Sequence, residues 1–74
     1  MVITIKLFAH FRHGRFKEAS HPLPPGAVCR DIILGLGFRT SEMGIVLVNG
    51  QHAPLDHPLE DADTLALFPL VGGG

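Results

Sequence analysis

Apolar and polar residues alternate along the start of the chain with the two-residue period of a β-strand. The alternation runs from Val2 to Ala9 and predicts one core-facing set, Ile3, Ile5 and Leu7. The polar segment from His10 to Gly14 ends in glycine, which favours a hairpin turn. Arg15 to His21 then predicts a second, more polar strand at a sheet edge, where charged side chains discourage unwanted pairing.

The prolines and glycine of Pro22-Leu23-Pro24-Pro25-Gly26 interrupt the strand pattern. Because proline has no amide hydrogen for a sheet ladder, we expect the chain to leave the sheet here. A helix is predicted from Ala27 to Leu36, with a poor N-cap at Ala27 and a glycine end at Gly37. Its buried stripe should consist of Val28, Ile32, Ile33 and Leu36, with Cys29 beside them.

The second half of the sequence predicts three more strands. Thr40 to Met43 has the composition of a loop, and Ile45 to Val48 is a β-branched run closed by the turn signal Asn49-Gly50. Gln51 to Ala53 fits a short strand, and Pro54 to Asp63 is rich in turn residues. The last predicted strand is Thr64 to Phe68, with Leu65 and Leu67 inward and Ala66 and Phe68 outward. Leu59 is the expected anchor of the turn-rich segment, and Asp61-Ala62-Asp63 its tight corner.

This order of elements predicts an α+β protein with a β-grasp, or ubiquitin-like, fold. A hairpin, one helical crossover and a long final strand close a mixed sheet, with the main helix packed across one face. The first and last strands should lie side by side at the centre, since they are the most apolar. We predict a domain over residues 1–70 and a flexible C-terminal tail over residues 71–74.

Composition limits the possible partners. The 74 residues are 46% hydrophobic and 18% charged, with a formal net charge of -1. This balance gives no general reason to bind nucleic acid or a membrane surface. All Lys and Arg residues occur at or before Arg39, whereas the later charges are acidic. The acidic half adjoins the tail in sequence, which hints at a partner with basic residues there.

No catalytic or metal-binding set stands out. Cys29 is the only cysteine, so an internal disulfide and a multi-cysteine zinc site are excluded, and its helical spacing favours a core position. His10 and His13 lack matching cysteine or carboxylate ligands, so loop histidines are the better interpretation and no metal site is predicted. The opening apolar run is too short for a signal peptide, and we expect a cytoplasmic protein.

The end of the chain is chemically unusual. After Phe68 and Pro69 come Leu70 and Val71, followed by Gly72-Gly73-Gly74. Glycine has wide backbone freedom and no Cβ, so Gly72 and Gly73 can thread into a narrow active site. The distinctive group is then the carboxylate of Gly74, which needs activation before it can react. Phe8, Leu47 and Phe68 should share the sheet face away from the helix, and we predict that they dock a partner together with Pro69 and Val71.

Three ordered motifs resemble the MoaD/ThiS sulfur carriers, and the likeness spans the whole chain. They are Val48-Asn49-Gly50, Leu59-Glu60-Asp61-Ala62-Asp63 and Leu67-Phe68-Pro69-Leu70-Val71-Gly72-Gly73-Gly74. The Phe68-Pro69 pair is more similar to the molybdopterin synthase small subunit than to the thiamine carrier. Leu70 stands in place of a second proline, Ala62 in place of the glycine of the corner, and Ala27 in place of threonine. None of these departures touches the Gly73-Gly74 end.

The resemblance implies a non-enzymatic carrier with no bound cofactor. A ubiquitin-activating-type adenylating enzyme would use ATP to convert the Gly74 carboxylate into an acyl-adenylate. A persulfide sulfurtransferase would then supply sulfur, and the resulting thiocarboxylate would donate it in molybdopterin (molybdenum or tungsten) cofactor synthesis. The large subunit of molybdopterin synthase is a further implied partner. Three alternatives stay open: sulfur supply for thiamine or another metabolite, a ubiquitin-like protein modifier, and a β-grasp binding module that is never activated.

Overall fold

The computed structural model describes residues 1–70, which form five strands, one α-helix and two short 3₁₀ helices. The first 3₁₀ helix is Ala9–Arg12 and the second is Thr40–Glu42. The other elements are β1 (Val2–Leu7), β2 (Glu18–Pro22), α1 (Cys29–Gly35), β3 (Met43–Val48), β4 (Gln51–His52) and β5 (Thr64–Pro69). Among residues 1–70, no helix has the length and hydropathy needed to cross a lipid bilayer.

The strands form one mixed sheet in the order β2-β1-β5-β3-β4. β1 and β5 run parallel, with Ile5 opposite Leu65 and Leu7 opposite Leu67, and the other neighbouring pairs are antiparallel. β5 is therefore the middle strand, and β1 lies beside it as the sequence predicts. The β-grasp prediction is confirmed.

The core lies between one face of the sheet and α1. The inward residues predicted for the first and last strands are buried, with at most 1% of their surface exposed. Opposite them, α1 contributes Cys29, Ile32 and Ile33, and Leu59 closes the cluster from the turn-rich segment. Burying these side chains is the main favourable term, at about 25 cal/mol per Å² of apolar surface.

The predicted helix was too long at both ends. α1 begins at Cys29 rather than Ala27, and it ends at Gly35 rather than Leu36, before Gly37 turns with a φ of +90°. Val28 and Leu36 are only half-buried, so they flank the buried stripe instead of belonging to it. The Val28 amide donates to Asp31 Oδ2 at 2.8 Å, so a carboxylate in the first turn does the capping that Ala27 cannot.

The predicted hairpin between β1 and β2 is confirmed, but the segment from His10 to Gly14 is not a plain polar turn. The 3₁₀ helix starts at Ala9, and Phe11 is turned into the core with 1% of its surface exposed. Its ring packs on Phe38, with centroids 4.2 Å apart. An aromatic residue inside a polar loop is the sequence signal for such an anchor.

Other predicted boundaries move by a few residues. The second strand is Glu18–Pro22 rather than Arg15 to His21, so the proline forms its last residue at an exposed edge. Thr40 to Met43 is not all loop, because it contains a 3₁₀ helix and the first residue of β3. β4 ends at His52, one residue early.

Candidate functional site

β5 leads the chain towards its glycine-rich end through the middle of the sheet. Because β1 and β5 are parallel, both finish at the same edge of the molecule, which we call the tail end. We call the opposite edge, where both strands start, the corner end. Four predicted site residues, Val71, Gly72, Gly73 and Gly74, lie outside the described residues.

The exit from β5 is held by backbone contacts. The Leu70 amide donates to the carbonyl of Glu42 at 3.1 Å, one residue before β3. A register shift between Met43 and Ile45 brings Gly44 against Pro69, and a Cβ on Gly44 would lie 2.5 Å from the Pro69 carbonyl oxygen. Only glycine allows these two backbones to approach so closely.

An apolar cluster covers the outer sheet face at the tail end. Phe8 and Phe68 stack with ring centroids 4.1 Å apart and an interplanar angle of 7°. Across β3, Ile45 lies opposite Phe68 and Leu47 opposite Ala66. We call Phe8, Ile45, Leu47 and Phe68 the outer patch. The structure therefore brings together the three outward residues that the sequence singles out, and it adds Ile45, which is 38% exposed.

Arg12 extends the outer patch, a position that the sequence did not single out. Its Nε donates to the Leu7 carbonyl at 2.7 Å, and its guanidinium carbon lies 5.3 Å from the Phe8 ring centroid. Cation–π geometry of this kind holds the guanidinium beside the aromatic pair. The sequence signal was weak, since only the 3₁₀ helix brings residue 12 back over residue 8.

Pro69 is placed differently from the other predicted docking residues. It is buried and lies opposite Met43, so its side chain belongs to the packing at the end of β5 and adds nothing exposed to the outer patch. The next residue, Leu70, is 63% exposed. It is the last described residue before the glycine-rich segment.

Cys29 occupies a core position, as its helical spacing predicts. The thiol is fully buried among the core residues, and this burial raises the pKa of the Cys29 thiol above its ordinary value. A neutral, enclosed thiol is unsuited to nucleophilic chemistry. Within residues 1–70, no three His, Cys, Asp or Glu side chains converge to hold a metal ion.

Most of the acidic residues lie far from the tail in space, although they precede it in sequence; Glu42, whose carbonyl binds the Leu70 amide, is the exception. Asp61 Oδ1 accepts from the Val2 amide at 2.7 Å, and the Asp63 carbonyl accepts from the Thr4 amide at 2.9 Å. Both contacts are at the corner end. The hint that an acidic surface adjoins the tail is therefore wrong, because β5 carries the chain across the sheet after Asp63.

A surface pocket of about 310 Å³ also opens at the corner end. His52, His57 and Glu60 contribute to its wall, together with Asn49 and Asp63. The last two bond each other, Asn49 Nδ2 to Asp63 Oδ1 at 2.8 Å, and Asp63 Oδ2 also accepts from the Glu60 amide at 2.8 Å. These polar groups hold the fold together.

Comparison with known families decides the classification. The ThiS family model matches residues 5–74 of the sequence, which includes all three terminal glycines. The chain belongs to the ThiS family. Proteins of this family are generally small, non-catalytic carriers. A comparison with curated proteins found no significant match.

Solved structures share the fold. A putative molybdopterin converting factor subunit 1 from Pyrococcus furiosus is 30% identical, with a TM-score of 0.79 over 96% of this chain and 99% of that one. SAMP1 from Haloferax volcanii is 27% identical, with a TM-score of 0.74 and full coverage of both chains. A complex of molybdopterin-converting factor subunits 1 and 2 from Helicobacter pylori matches at 19% identity with a TM-score of 0.66, covering both chains fully. The last likeness shows the shared fold alone.

These similarities support the MoaD/ThiS assignment and favour the molybdopterin branch of the family. They give the chain a sulfur-carrier or ubiquitin-like role.

Proposed function

We propose that the chain carries sulfur on the carboxylate of Gly74 for molybdopterin-type cofactor synthesis. The observation that carries this proposal is the family match through residue 74, which includes Gly72 and Gly73. The 30% identity to a putative molybdopterin converting factor subunit 1 supports the pathway. β5 is the middle strand and leads to this segment, so it would be the fixed base of a delivery arm whose end is the Gly74 carboxylate.

The proposed reaction has three steps, of which the first two take place at the carboxylate. An adenylating enzyme of the ubiquitin-activating type joins the carboxylate to the adenylyl group of ATP, and pyrophosphate leaves. A persulfide sulfur from a sulfurtransferase then attacks the activated carbonyl and displaces AMP. After cleavage of the sulfur–sulfur bond by a thiol reductant, the carboxylate oxygen has been replaced by sulfur. The chain contributes the acceptor group and no catalytic side chain.

Docking would use the outer patch. The stacked Phe8–Phe68 pair is a half-buried aromatic surface beside the exit of β5, and aromatic anchors commonly dominate interface energies. The adenylating enzyme and the large subunit of molybdopterin synthase are both proposed to bind there. They would therefore bind in turn, since one surface cannot hold both.

The test is the intact mass of the chain after incubation with ATP, the adenylating enzyme and a persulfide donor. Replacement of one oxygen by sulfur adds about 16 Da, and omission of ATP should prevent the gain. Deletion of Gly74, or addition of one residue after it, should abolish the gain while leaving the fold intact. An extended chain that still accepted sulfur at its end would contradict the delivery-arm proposal.

The variant Cys29→Ala tests whether the cysteine side chain takes part in sulfur transfer. Because Cys29 is enclosed in the core, we expect a stability loss of about 1–2 kcal/mol and normal sulfur acceptance at Gly74. If this variant folded but gained no mass, sulfur would have to pass through the thiol.

A ubiquitin-like modifier is the second candidate, favoured by the 27% identity to SAMP1. The same incubation distinguishes the two functions when other cell proteins are added. Conjugation to lysines would give species heavier by the mass of the whole chain. Sulfur transfer would give the small mass gain alone. A carrier for thiamine or another metabolite would also show the small gain, and the product formed with each candidate precursor separates these pathways.

A further inference from the structure

Positive and negative side chains are concentrated at opposite ends of the sheet, although the net charge of the chain is only -1. Most cations lie at the tail end and most carboxylates at the corner end. Lys6 and Glu18 lie between the ends and pair with each other at 3.9 Å. The tail-end cations are Arg12, Arg15, Lys17 and Arg39, and the corner-end carboxylates are Asp31, Asp56, Glu60, Asp61 and Asp63. Glu42 is the one side-chain carboxylate among residues 1–70 at the tail end, where it accepts a hydrogen bond from the Arg39 amide.

Specific contacts place each cation at the tail end. Arg12 lies over Phe8, as described above, and the Lys17 carbonyl accepts from the Leu7 amide at 3.0 Å. Arg15 reaches the end of α1, where its Nε donates to the Leu36 carbonyl at 3.3 Å. Arg39 begins the segment that clamps the exit, because its amide bonds the side chain of Glu42, whose carbonyl binds Leu70.

The carboxylates are placed just as firmly at the other end. Asp61 and Asp63 bond the first residues of β1, and Glu60 precedes them. The start of α1 joins the same end, since the Cys29 and Arg30 amides donate to the carbonyls on either side of Asp56. Asp31 caps this helix start. Arg30 is therefore the one Lys or Arg among residues 1–70 that lies among the acids.

The tail-end cations are available to a partner. Arg15, Lys17 and Arg39 are exposed, and within residues 1–70 none of the four cations makes an ion pair. Arg12 adjoins the aromatic pair of the outer patch, and the other three cations lie at the same end of the molecule, where Arg15 stacks over Phe38 on the helix side. An apolar centre with a charged rim, in which Arg and aromatic residues are enriched, is the usual anatomy of a protein–protein interface.

We propose that the protein which receives the glycine-rich end has carboxylates around the apolar recess that accepts the outer patch. The separation of charge would then orient this chain so that its tail end approaches the partner first. The proposal rests on the function proposed above and adds the chemistry of the partner. Complementary potentials raise association rates more than they raise affinity. The acidic corner end would be repelled by the same carboxylates, which disfavours the reversed approach.

A protein partner fits better than a phosphate or a nucleic acid. The cations come from three separate stretches of chain, at residue 12, residues 15–17 and residue 39, and Arg12 lies beside an aromatic stack. A phosphate site would need several donors directed at one point. A nucleic acid would also meet an overall negative chain.

The test compares charge reversals at the two ends. Lys17→Glu and Arg39→Glu change exposed side chains at the tail end, and Arg30→Glu changes net charge equally at the corner end. Binding to the immobilised adenylating enzyme is followed by surface plasmon resonance at about 50 mM and about 500 mM salt. Melting temperatures should stay within about 4 °C, since exposed substitutions rarely alter stability strongly.

We expect each tail-end reversal to lower the association rate constant about threefold at low salt, and the double variant about tenfold. At high salt the differences should fall below about twofold, because screening shortens the reach of the charges. Arg30→Glu should stay within about twofold of the wild type throughout. Together these results would establish steering by an acidic rim.

Three outcomes would overturn the proposal. Equal slowing by Arg30→Glu would show that net charge matters and orientation does not. Faster association of the tail-end variants would show a basic rim, and unchanged rates would show no steering. Tail-end-dependent binding of a labelled 20-nucleotide single strand, with enzyme association unaffected, would assign the cations to nucleic acid. The mass gain of the wild-type chain on sulfur transfer is measured in parallel. If the wild type accepts sulfur, any of these three outcomes counts against the acidic rim and not against the proposed function.

Discussion

The two ends of β5 are held in place by different means. At the corner end, side chains bond backbone and one another: Thr64 donates to Asn49 Oδ1 at 2.9 Å, and Asn49 donates to Asp63. At the tail end, the contacts are a backbone hydrogen bond from Leu70, the close approach of Gly44 and the stacked rings of Phe8 and Phe68.

This difference assigns fold stability mainly to side chains at the corner end and partner binding mainly to side chains at the tail end. The side chains of Asn49, Asp61 and Asp63 at the corner end are bonded within the fold, so they fix the strand register and offer little to a partner. At the tail end the backbone does the holding, and the cations and aromatic rings are left for recognition. We therefore expect corner-end variants to change unfolding, and tail-end side-chain variants to change association.

Among the substitutions that compare the two ends, outside the core, Gly44→Ala should have the largest effect, because it alters the backbone at the tail end. A Cβ there would lie 2.5 Å from the Pro69 carbonyl oxygen, and a backbone atom cannot rotate away as a side chain can. We expect a loss of about 3 kcal/mol in the free energy of unfolding. Urea unfolding measures it, and sulfur acceptance per folded molecule reports whether the exit has shifted.

Gly35→Ala is the control for Gly44→Ala. A Cβ at this position on α1 would have no heavy atom within 4 Å, and alanine favours helix by up to about 1 kcal/mol. We expect unchanged or raised stability. A similar loss in both variants would show that the close approach at Gly44 is not the cause.

Asp63→Ala tests the corner end and should cost about 2 kcal/mol, because two charge-assisted hydrogen bonds are lost at a half-exposed site. Association with the adenylating enzyme should be unchanged at equal concentrations of folded protein. Asp61→Ala removes one such bond and should cost less. If Asp63→Ala weakened binding but not stability, the assignment of roles to the two ends would be reversed.

Phe68→Ala should weaken binding to the adenylating enzyme at least about tenfold, or about 1.4 kcal/mol, because it removes one ring of the stacked pair. Stability should fall by about 1 kcal/mol, since the ring is half-buried against Phe8. The neighbouring variant Leu67→Ala is the contrast: its side chain is fully buried, and it should lose several times more stability. Equal stability losses would show that both strand faces are packed alike.

The sequence predicts the parts of this fold that depend on short-range periodicity. The inward faces of β1 and β5, the Asn49-Gly50 turn and the middle position of β5 all follow from alternation and turn chemistry. Burial of Phe11 does not, because it depends on Phe38, which is distant in sequence. The helix cap does not follow from the residue at the cap position either, because the capping group is the carboxylate of Asp31, three residues after Val28.

For the site, the outward alternation of Phe8, Leu47 and Phe68 was enough to predict their shared face. Ile45 and Gly44 were not singled out, because the register shift in β3 decides where they lie. The charge pattern misled for a topological reason. Residues 60–63 precede the last strand, and a six-residue strand then separates them from the tail end. Residues 60–63 are therefore close to the tail in sequence but lie at the opposite end of the sheet.

Ala62→Gly should have the smallest effect, and it should be favourable. Ala62 has a φ of +71° at the corner end, where L-residues other than Asn and Asp are strained. Glycine removes a steric cost of about 1–2 kcal/mol, offset by its greater freedom in the unfolded chain, so we expect a gain of about 0.7 kcal/mol.

Asn49→Gly distinguishes backbone strain from side-chain bonding at the same end. Asn49 also has a positive φ, +52°, but its amide side chain bonds both Thr64 and Asp63. Glycine there relieves little strain and removes both bonds, so stability should fall by about 1 kcal/mol or more. Urea unfolding of the two variants should therefore shift in opposite directions. If both variants were more stable than the wild type, backbone strain would outweigh side-chain hydrogen bonding at the corner end. The contrast drawn with the tail end would then be wrong.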